Sequence, residues 1–372
     1  MPDFKCAVNA NSKATELRLF RIGGTVQQNP HMRGFWAATI SFFVAFLGWF
    51  CLAPLAIDVA KSIGICENQL YPPQDHPRRP AYLTYRNLRT GKAYCPFGLT
   101  DEDRPADCEI DPGDVGASRY NLSVLEDCVC TIGTHCHDTL GDGATASVAS
   151  TIFVRIALGT FLERAGPVNV QVFLLTFSAI WVAAAAMINA EWNYILIRFF
   201  IGAAGGTFVT NQFWVSLMFA PNVVGTANAT AAGWGNLGGG FAQVFMVLML
   251  FQPLKLAGMS ADAAWRAAML VPAALCLATA VCVKLFCWDT PLRKRFTPVD
   301  TGKRYGAALW DYVEVLKDPR VVAMILQYSA CFGAELAMNN RLATHFRTYF
   351  QMGAGDAATL ASAFGGMNLF AR

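Results

Sequence analysis

A guanidinium in the middle of an apolar run is the first residue that demands chemistry. Arg155 stands about eleven residues into the stretch from Ala144 to Leu162, which at about 1.5 Å per residue is roughly 16 Å along a helix. At that depth in a bilayer an arginine does not reach water, so it needs a cavity, a carboxylate or an anion. Arg372 sits comparably deep, about 18 Å along a helix counted from Leu360. Guanidinium groups offer forked, coplanar N–H donors that suit planar oxyanions. Two of them near one depth, with no carboxylate obviously placed to cancel both, make a site for a small anion. The competing reading is a structural pair with a buried carboxylate. Arg198 is shallower, about 9 Å in from Trp192, and is read equally well as packing or as a gate contact.

A second constellation lies between Val321 and Ala343. Tyr328, Phe332, Glu335 and Asn339 follow one another at i, i+4, i+7 and i+11, one narrow stripe of a helix. Aromatic stripes alone are usually packing, but this one shares its face with a carboxylate and an amide and so points at a polar interior. Glu335 is the best proton carrier, because desolvation favours the protonated form of a buried carboxyl; a charge partner for an arginine is the equal alternative. The run Gly225 to Gly240 is dense in glycine, with Gly235 and Gly239 forming a GxxxG and Gly202 with Gly206 another. Such surfaces let helices touch closely, and Asn236 among them is an amide donor within reach of a ligand.

These residues need elements to hold them. The chain has 372 residues, 54% apolar and 15% charged, with mean hydropathy +0.35. That balance excludes an ordinary cytosolic enzyme and a disordered protein, and a net charge of +3 is too small for a nucleic-acid binder. Seven stretches are long and apolar enough to cross a bilayer, about 20 residues each: from Phe35 to Ala60, Ala144 to Leu162, Val168 to Ala190, Tyr194 to Phe219, Val224 to Phe251, Trp265 to Phe286 and Val321 to Ala343. An eighth opens near Ala357 and is cut at Arg372, so a C-terminally truncated chain is expected. No nucleophile–base constellation or phosphate loop appears, so no enzymatic activity and no cofactor are expected.

Lys13, Arg18, Arg21 and Arg33 precede the first span, and Arg293, Lys294, Arg295, Lys303, Arg304, Lys317 and Arg320 lie between spans six and seven. The excess of basic residues in short flanks assigns both segments to the cytoplasm. The expected organisation is a cytoplasmic segment 1–34, a six-span bundle 35–287 holding an external insertion 61–142, a cytoplasmic connection 288–320, and the start of a second bundle 321–372. The insertion has eight basic and thirteen acidic residues and six of the twelve cysteines: Cys66, Cys95, Cys108, Cys128, Cys130 and Cys136. An even cysteine count in an oxidising compartment points to disulfides in any of fifteen pairings. Zinc binding by Cys128, Cys130, His135, Cys136 and His137 is the weaker alternative, since Cys-x-Cys is not a common structural zinc spacing, and no metal is assigned. Asn121 opens a glycosylation sequon, Asn121-Leu122-Ser123.

Four segments resemble the nitrate/nitrite porter family of the major facilitator superfamily. The segment from Gly159 to Pro167 is similar to the superfamily loop G-x-x-x-D-R-x-G, with Glu163 in place of Asp, beside Arg164 and Gly166. The segment from Ala232 to Gly238 resembles the first nitrate signature. Ser150 to Arg155 and Gly366 to Arg372 resemble the flanks of the family's two substrate arginines. The resemblance implies an all-α membrane fold, an N-terminal six-helix bundle followed by the first two helices of a second. It further implies that Arg155 and Arg372 clamp nitrate, that Tyr328, Phe332 and Phe208 flank it, and that Asn236 is the signature amide. Gly159, Glu163, Arg164 and Gly166 become a conformational latch, weakened because Val168 stands where a basic residue often follows Gly-Pro. The implied activity is nitrate, or nitrite, transport by alternating access in symport with protons at the plasma membrane. Implied partners are nitrate or nitrite, protons, the bilayer and, optionally, an accessory membrane protein. Two alternatives remain open on the residues alone: a carrier of another small anion such as an organic acid, and a membrane nitrate sensor working through the cysteine-rich insertion.

Overall fold

The computed structural model describes residues 6–19, 29–65, 68–71, 93–95, 118–120, 129–132, 134–298, 309–350 and 352–371. Seven helices are long and apolar enough to cross a membrane: α1 (Pro30–Ser62), α2 (Asp138–Ala165), α3 (Pro167–Met187), α4 (Glu191–Met218), α5 (Val224–Leu256), α6 (Ala261–Phe286) and, after the short α7 (Leu309–Val315), α8 (Pro319–Arg347). They are followed by α9 (Ala354–Gly366) and α10 (Asn368–Ala371). Each expected span is present. In the insertion the described residues form two antiparallel ribbons, β1 (Asn68–Tyr71) with β4 (Val129–Ile132), and β2 (Ala93–Cys95) with β3 (Ser118–Tyr120). Asn121 and the side chains of the six insertion cysteines lie outside the described residues.

Local chemistry moves three expected boundaries. The first helix begins at Pro30 rather than Phe35, because the Asn29 side chain caps Met32 N–H at 3.2 Å and Pro30 fits the first helical turn. Helical backbone leading into α2 begins at Thr134, ten residues ahead of the apolar run at Ala144; a helix can outrun the hydrocarbon when its end is polar. The segment from Gly159 to Arg164 is not a loop but the last turns of α2. Gly166 alone turns the chain into α3, at φ +80°, a conformation that favours glycine.

Burial separates the helices by role. α1 runs through the middle, with Phe35, Phe42, Phe46, Trp49 and Phe50 all buried and Ile40 exposed; it is apolar nearly all round because most of its faces meet protein. α6 buries a stripe of mostly small residues, Ala264, Ala268, Ala273 and Ala280, while its other face exposes Leu270, Leu277, Val281 and Leu285. Large apolar side chains outside and small ones inside is the pattern of a helix between lipid and a tightly packed bundle. Ser260 caps α6 at Ala263 N–H, and Arg266 donates to the Ala186 and Ile188 carbonyls at 2.7 and 2.8 Å, satisfying the orphan C-terminus of α3.

Residues 6–19 and the start of the segment after α6 lie at one end of the bundle. Residues 6–19 pair with the end of α4 through Ala14 N–H to Met218 O (3.0 Å) and Ala220 N–H to Ala14 O (2.8 Å). Trp214 Nε1 donates to Trp288 O at 3.0 Å beside them.

Candidate functional site

Glycines in α4 determine where Arg155 goes. At Gly202–Gly206 the helix tightens to 3₁₀. A Cβ on Gly202 would lie 1.9 Å from the Ser147 carbonyl oxygen, and one on Gly205 would lie 2.7 Å from Thr151 and from Trp49. Only the missing side chains let α2 press against α4 there. Thr151 Oγ1 then donates to Gly202 O at 2.8 Å, and one turn further Arg155 donates from Nε (3.2 Å) and Nη2 (3.1 Å) to the single carbonyl of Gly205.

Aromatic rings border the guanidinium, Tyr328 on the exposed side. The Arg155 guanidinium carbon stands 4.8 Å from the Phe332 ring centre and 5.3 Å from that of Phe208, within cation–π range of both. Tyr328 stacks on Phe332 at 5.4 Å and 16°, faces Phe208 at 6.3 Å, and reaches the same guanidinium. Four of the expected residues, from three helices and both sides of the seam between α1–α6 and α8, therefore meet at one point. Among the described residues Arg155 forms no ion pair with a carboxylate. The edge carrying Nη1 and the second Nη2 hydrogen meets no carboxylate among the described residues.

The remaining expected residues stand elsewhere. Asn236 is 1% exposed on α5, the glycine-rich helix packed on α1. Glu335 is half-buried at the flank of the α8 face whose buried centre is Phe332, Leu336, Asn339 and Ala343. Arg372 lies outside the described residues. In the latch segment Glu163 is buried and Arg164 exposed, while Gly159 is overlain by Tyr312 of α7, whose hydroxyl a Cβ there would strike.

Sequence reasoning missed how several polar groups pair on the seam. Arg347 pairs with Asp58 through Nη1 at 2.5 Å and Nη2 at 3.3 Å, tying the end of α8 to that of α1. Arg198 Nη2 donates to Asn340 Oδ1 at 2.9 Å, and Gln243 Nε2 donates to Asn339 O at 3.0 Å. Asp58 was detectable as a carboxylate inside an apolar run; which arginine it meets was not. Asp289 was missed as well. Its Oδ1 accepts from Val168 N–H (2.9 Å) and its Oδ2 from Phe296 N–H (3.0 Å), so a carboxylate joins the N-terminus of α3 to the segment after α6.

Helices with lipid-type exteriors around a buried polar cluster define an integral, multi-pass membrane protein. A model of the Major Facilitator Superfamily matches residues 38–372, and the chain belongs to that superfamily. Within it, the chain is similar to the high affinity nitrate transporter 2.5 of Arabidopsis thaliana, 28% identical over 370 residues, covering 99% of this chain and 59% of the relative. It is similar also to the high-affinity nitrate transporter 2.3 of Oryza sativa subsp. japonica, 27% identical over 100% of this chain and 57% of the relative. Nitrate transporter 2.1 of Chlamydomonas reinhardtii is 34% identical over 237 residues, 63% of this chain and 43% of that protein. The chain thus spans somewhat more than half the length of the first two relatives.

Proposed function

We propose that the protein carries nitrate across a membrane by alternating access, with Arg155 as the central anion contact. The observation that carries this reading is the Arg155 cluster: a guanidinium anchored by one edge on Gly205 O, faced by Phe208 and Phe332, with its other edge free of carboxylate among the described residues. Nitrate is planar and monovalent, and two of its oxygens match the spacing of a guanidinium edge. Phe208 and Phe332, whose ring centres are 5.9 Å apart, meet the guanidinium from adjacent directions and leave its free edge beside aromatic faces. Nitrite offers the same edge one oxygen fewer. The names of the relatives, nitrate transporters from two plants and an alga, point to the same substrate.

Arg372 is the counterpart cation from the second bundle in this reading, and Asn236 an amide contributed by α5. The end that gathers residues 6–19 and Trp288 faces the cytoplasm, following the basic flanks. Moving one negative charge inward against an inside-negative potential costs about 2.3 kcal/mol per 100 mV, so entry with more than one proton per nitrate supplies a drive. Glu335, on the flank of the same α8 face, is the proton carrier.

The test is uptake of isotopically labelled nitrate by cells lacking their own carrier and expressing this protein, with acidic and neutral external pH compared. Arg155→Ala is expected to abolish uptake at unchanged surface expression, and excess nitrite to compete while acetate or succinate does not. Near-normal uptake by Arg155→Ala, or competition by carboxylates alone, would refute the reading.

A further inference from the structure

The last turn of α6 and the residues after it form a braced, basic corner that the Arg155 cluster does not use. Asp289 holds the N-terminus of α3 through Val168 N–H, and the next residue of α3, Asn169, accepts from Lys284 Nζ at 2.6 Å. Thr290 closes a turn on Lys294: its Oγ1 donates to Lys294 O at 3.0 Å and accepts from Lys294 N–H at 3.3 Å, while Arg293 N–H donates to Thr290 O at 3.0 Å. Phe296 is buried edge-on against Phe213 of α4, ring centres 5.2 Å apart. The segment is thus tied down on both sides of the turn, and Leu292, Arg293, Lys294 and Arg295 are its exposed residues.

Charge at this corner has one sign. Between Lys284 and Pro298 the sole carboxylate is Asp289, and both of its oxygens are occupied by backbone N–H groups. Arg33, near the start of α1, stands over the Trp288 ring at 4.8 Å. Arg293 stands over the same ring at 4.8 Å, from a backbone at φ +60° that L side chains rarely adopt. The side chains of Lys294 and Arg295 form no hydrogen bond or ion pair among the described residues. The apolar surroundings are of the lipid-facing kind. Leu270, Leu277, Val281 and Leu285 make one exposed stripe along α6, about 22 Å long and ending at the corner, and Phe173 and Ile180 are exposed on the adjoining α3. A stripe of that length covers more than half of the about 30 Å of hydrocarbon, so the corner stands where α6 leaves it.

We propose that the turn Leu292–Arg295, together with Lys284, binds the headgroup of an anionic phospholipid whose acyl chains lie along the exposed stripe of α6. The phosphate meets cations at the level where they surround it without leaving water, and Leu292 and Leu285 meet the first methylenes of the chains. A soluble anion would use the charges and leave the apolar stripe unused; a neutral lipid would use the stripe and leave the charges unused. An anionic lipid uses both. The corner lies at the end read as cytoplasmic, where the leaflet carries a negative surface potential. Bound lipid fixes the first turn of the connection between the two bundles, and through Asp289 the start of α3. The site rests on the membrane fold and not on which anion Arg155 takes.

The experiment measures thermal unfolding of the purified protein in a non-ionic detergent, titrated with dioleoylphosphatidylglycerol, with dioleoylphosphatidylcholine, or with glycerol phosphate in the aqueous phase. The phosphatidylglycerol is expected to raise the midpoint saturably, and the other two to leave it where it was. Lys294→Gln with Arg295→Gln should keep the wild-type midpoint in phosphatidylcholine, because neither side chain is bonded, and should need about 30-fold more phosphatidylglycerol for half of the shift, about fivefold for each basic residue removed. Lys317→Gln with Arg320→Gln removes as much charge from the same connection, away from the α6 stripe, and should leave the titration unchanged. The proposal is overturned if phosphatidylcholine matches phosphatidylglycerol, if glycerol phosphate matches it, if the 294/295 variant titrates like wild type, or if the 317/320 variant weakens the response equally, the mark of diffuse attraction. Should the 294/295 variant fail to yield monodisperse protein, Lys284→Gln decides: a titration about fivefold weaker supports the site, and an unchanged one overturns it.

Discussion

Arg155→Lys separates charge from shape at the central cluster. The native guanidinium places two donors on one carbonyl, at 3.1 and 3.2 Å, and stands beside two rings, 4.8 and 5.3 Å away. Lysine keeps the charge but brings a flexible stem and a point-like ammonium. It cannot both hold Gly205 O and offer a paired edge to an oxyanion, so one charge-assisted hydrogen bond to the anion is lost, about 1.5–3 kcal/mol. Part of the ring contact goes with it, out of about 0.5–2 kcal/mol for such a stack. A net loss of about 2–3 kcal/mol corresponds to about 30–150-fold in apparent affinity. The assay is the concentration dependence of nitrate uptake at a fixed proton gradient, with surface biotinylation to show that the amount of protein is unchanged. A lysine variant whose apparent KM stays within about threefold of wild type would refute the role of the fork, because a point charge would then suffice.

Other predictions address the framework. Asp289→Ala leaves the buried Val168 and Phe296 N–H groups without their acceptor, at a cost of about 2–4 kcal/mol; a clear drop in the unfolding midpoint in detergent is expected, and Asp289→Asn, which keeps one acceptor, should fall between. Gly240→Ala puts a methyl 2.6 Å from Gly365 Cα, forcing α5 and α9 apart, so transport should fail at normal expression; wild-type rates would show that this contact is slack. Asp58→Asn removes a partly buried ion pair worth about 1–3 kcal/mol, between the exposed and buried limits. It should speed labelling of Cys51, two turns below on α1, by an impermeant thiol reagent, and exchanging the charges (Asp58→Arg with Arg347→Asp) should slow it again.

The membrane helices were legible because bilayer crossing imposes a length and a composition that no other constraint imitates; every apolar run became a helix, within a few residues. That Arg155 needs partners was legible for the same reason, since a charge in an apolar run is costly wherever it points. Tyr328 and Phe332 followed from helical periodicity, which places them on one face. Phe208 had no such local signal and rested on family resemblance.

What lay beyond the sequence is everything set by pairs of helices distant along the chain. That the fork of Arg155 is taken up by the Gly205 carbonyl depends on how closely glycines let α2 approach α4. Whether Arg198 meets a carboxylate or an amide depends on which residue of α8 faces it across the seam, and the answer was Asn340. Composition reports what a residue costs to bury; only packing determines which partner, if any, meets that cost.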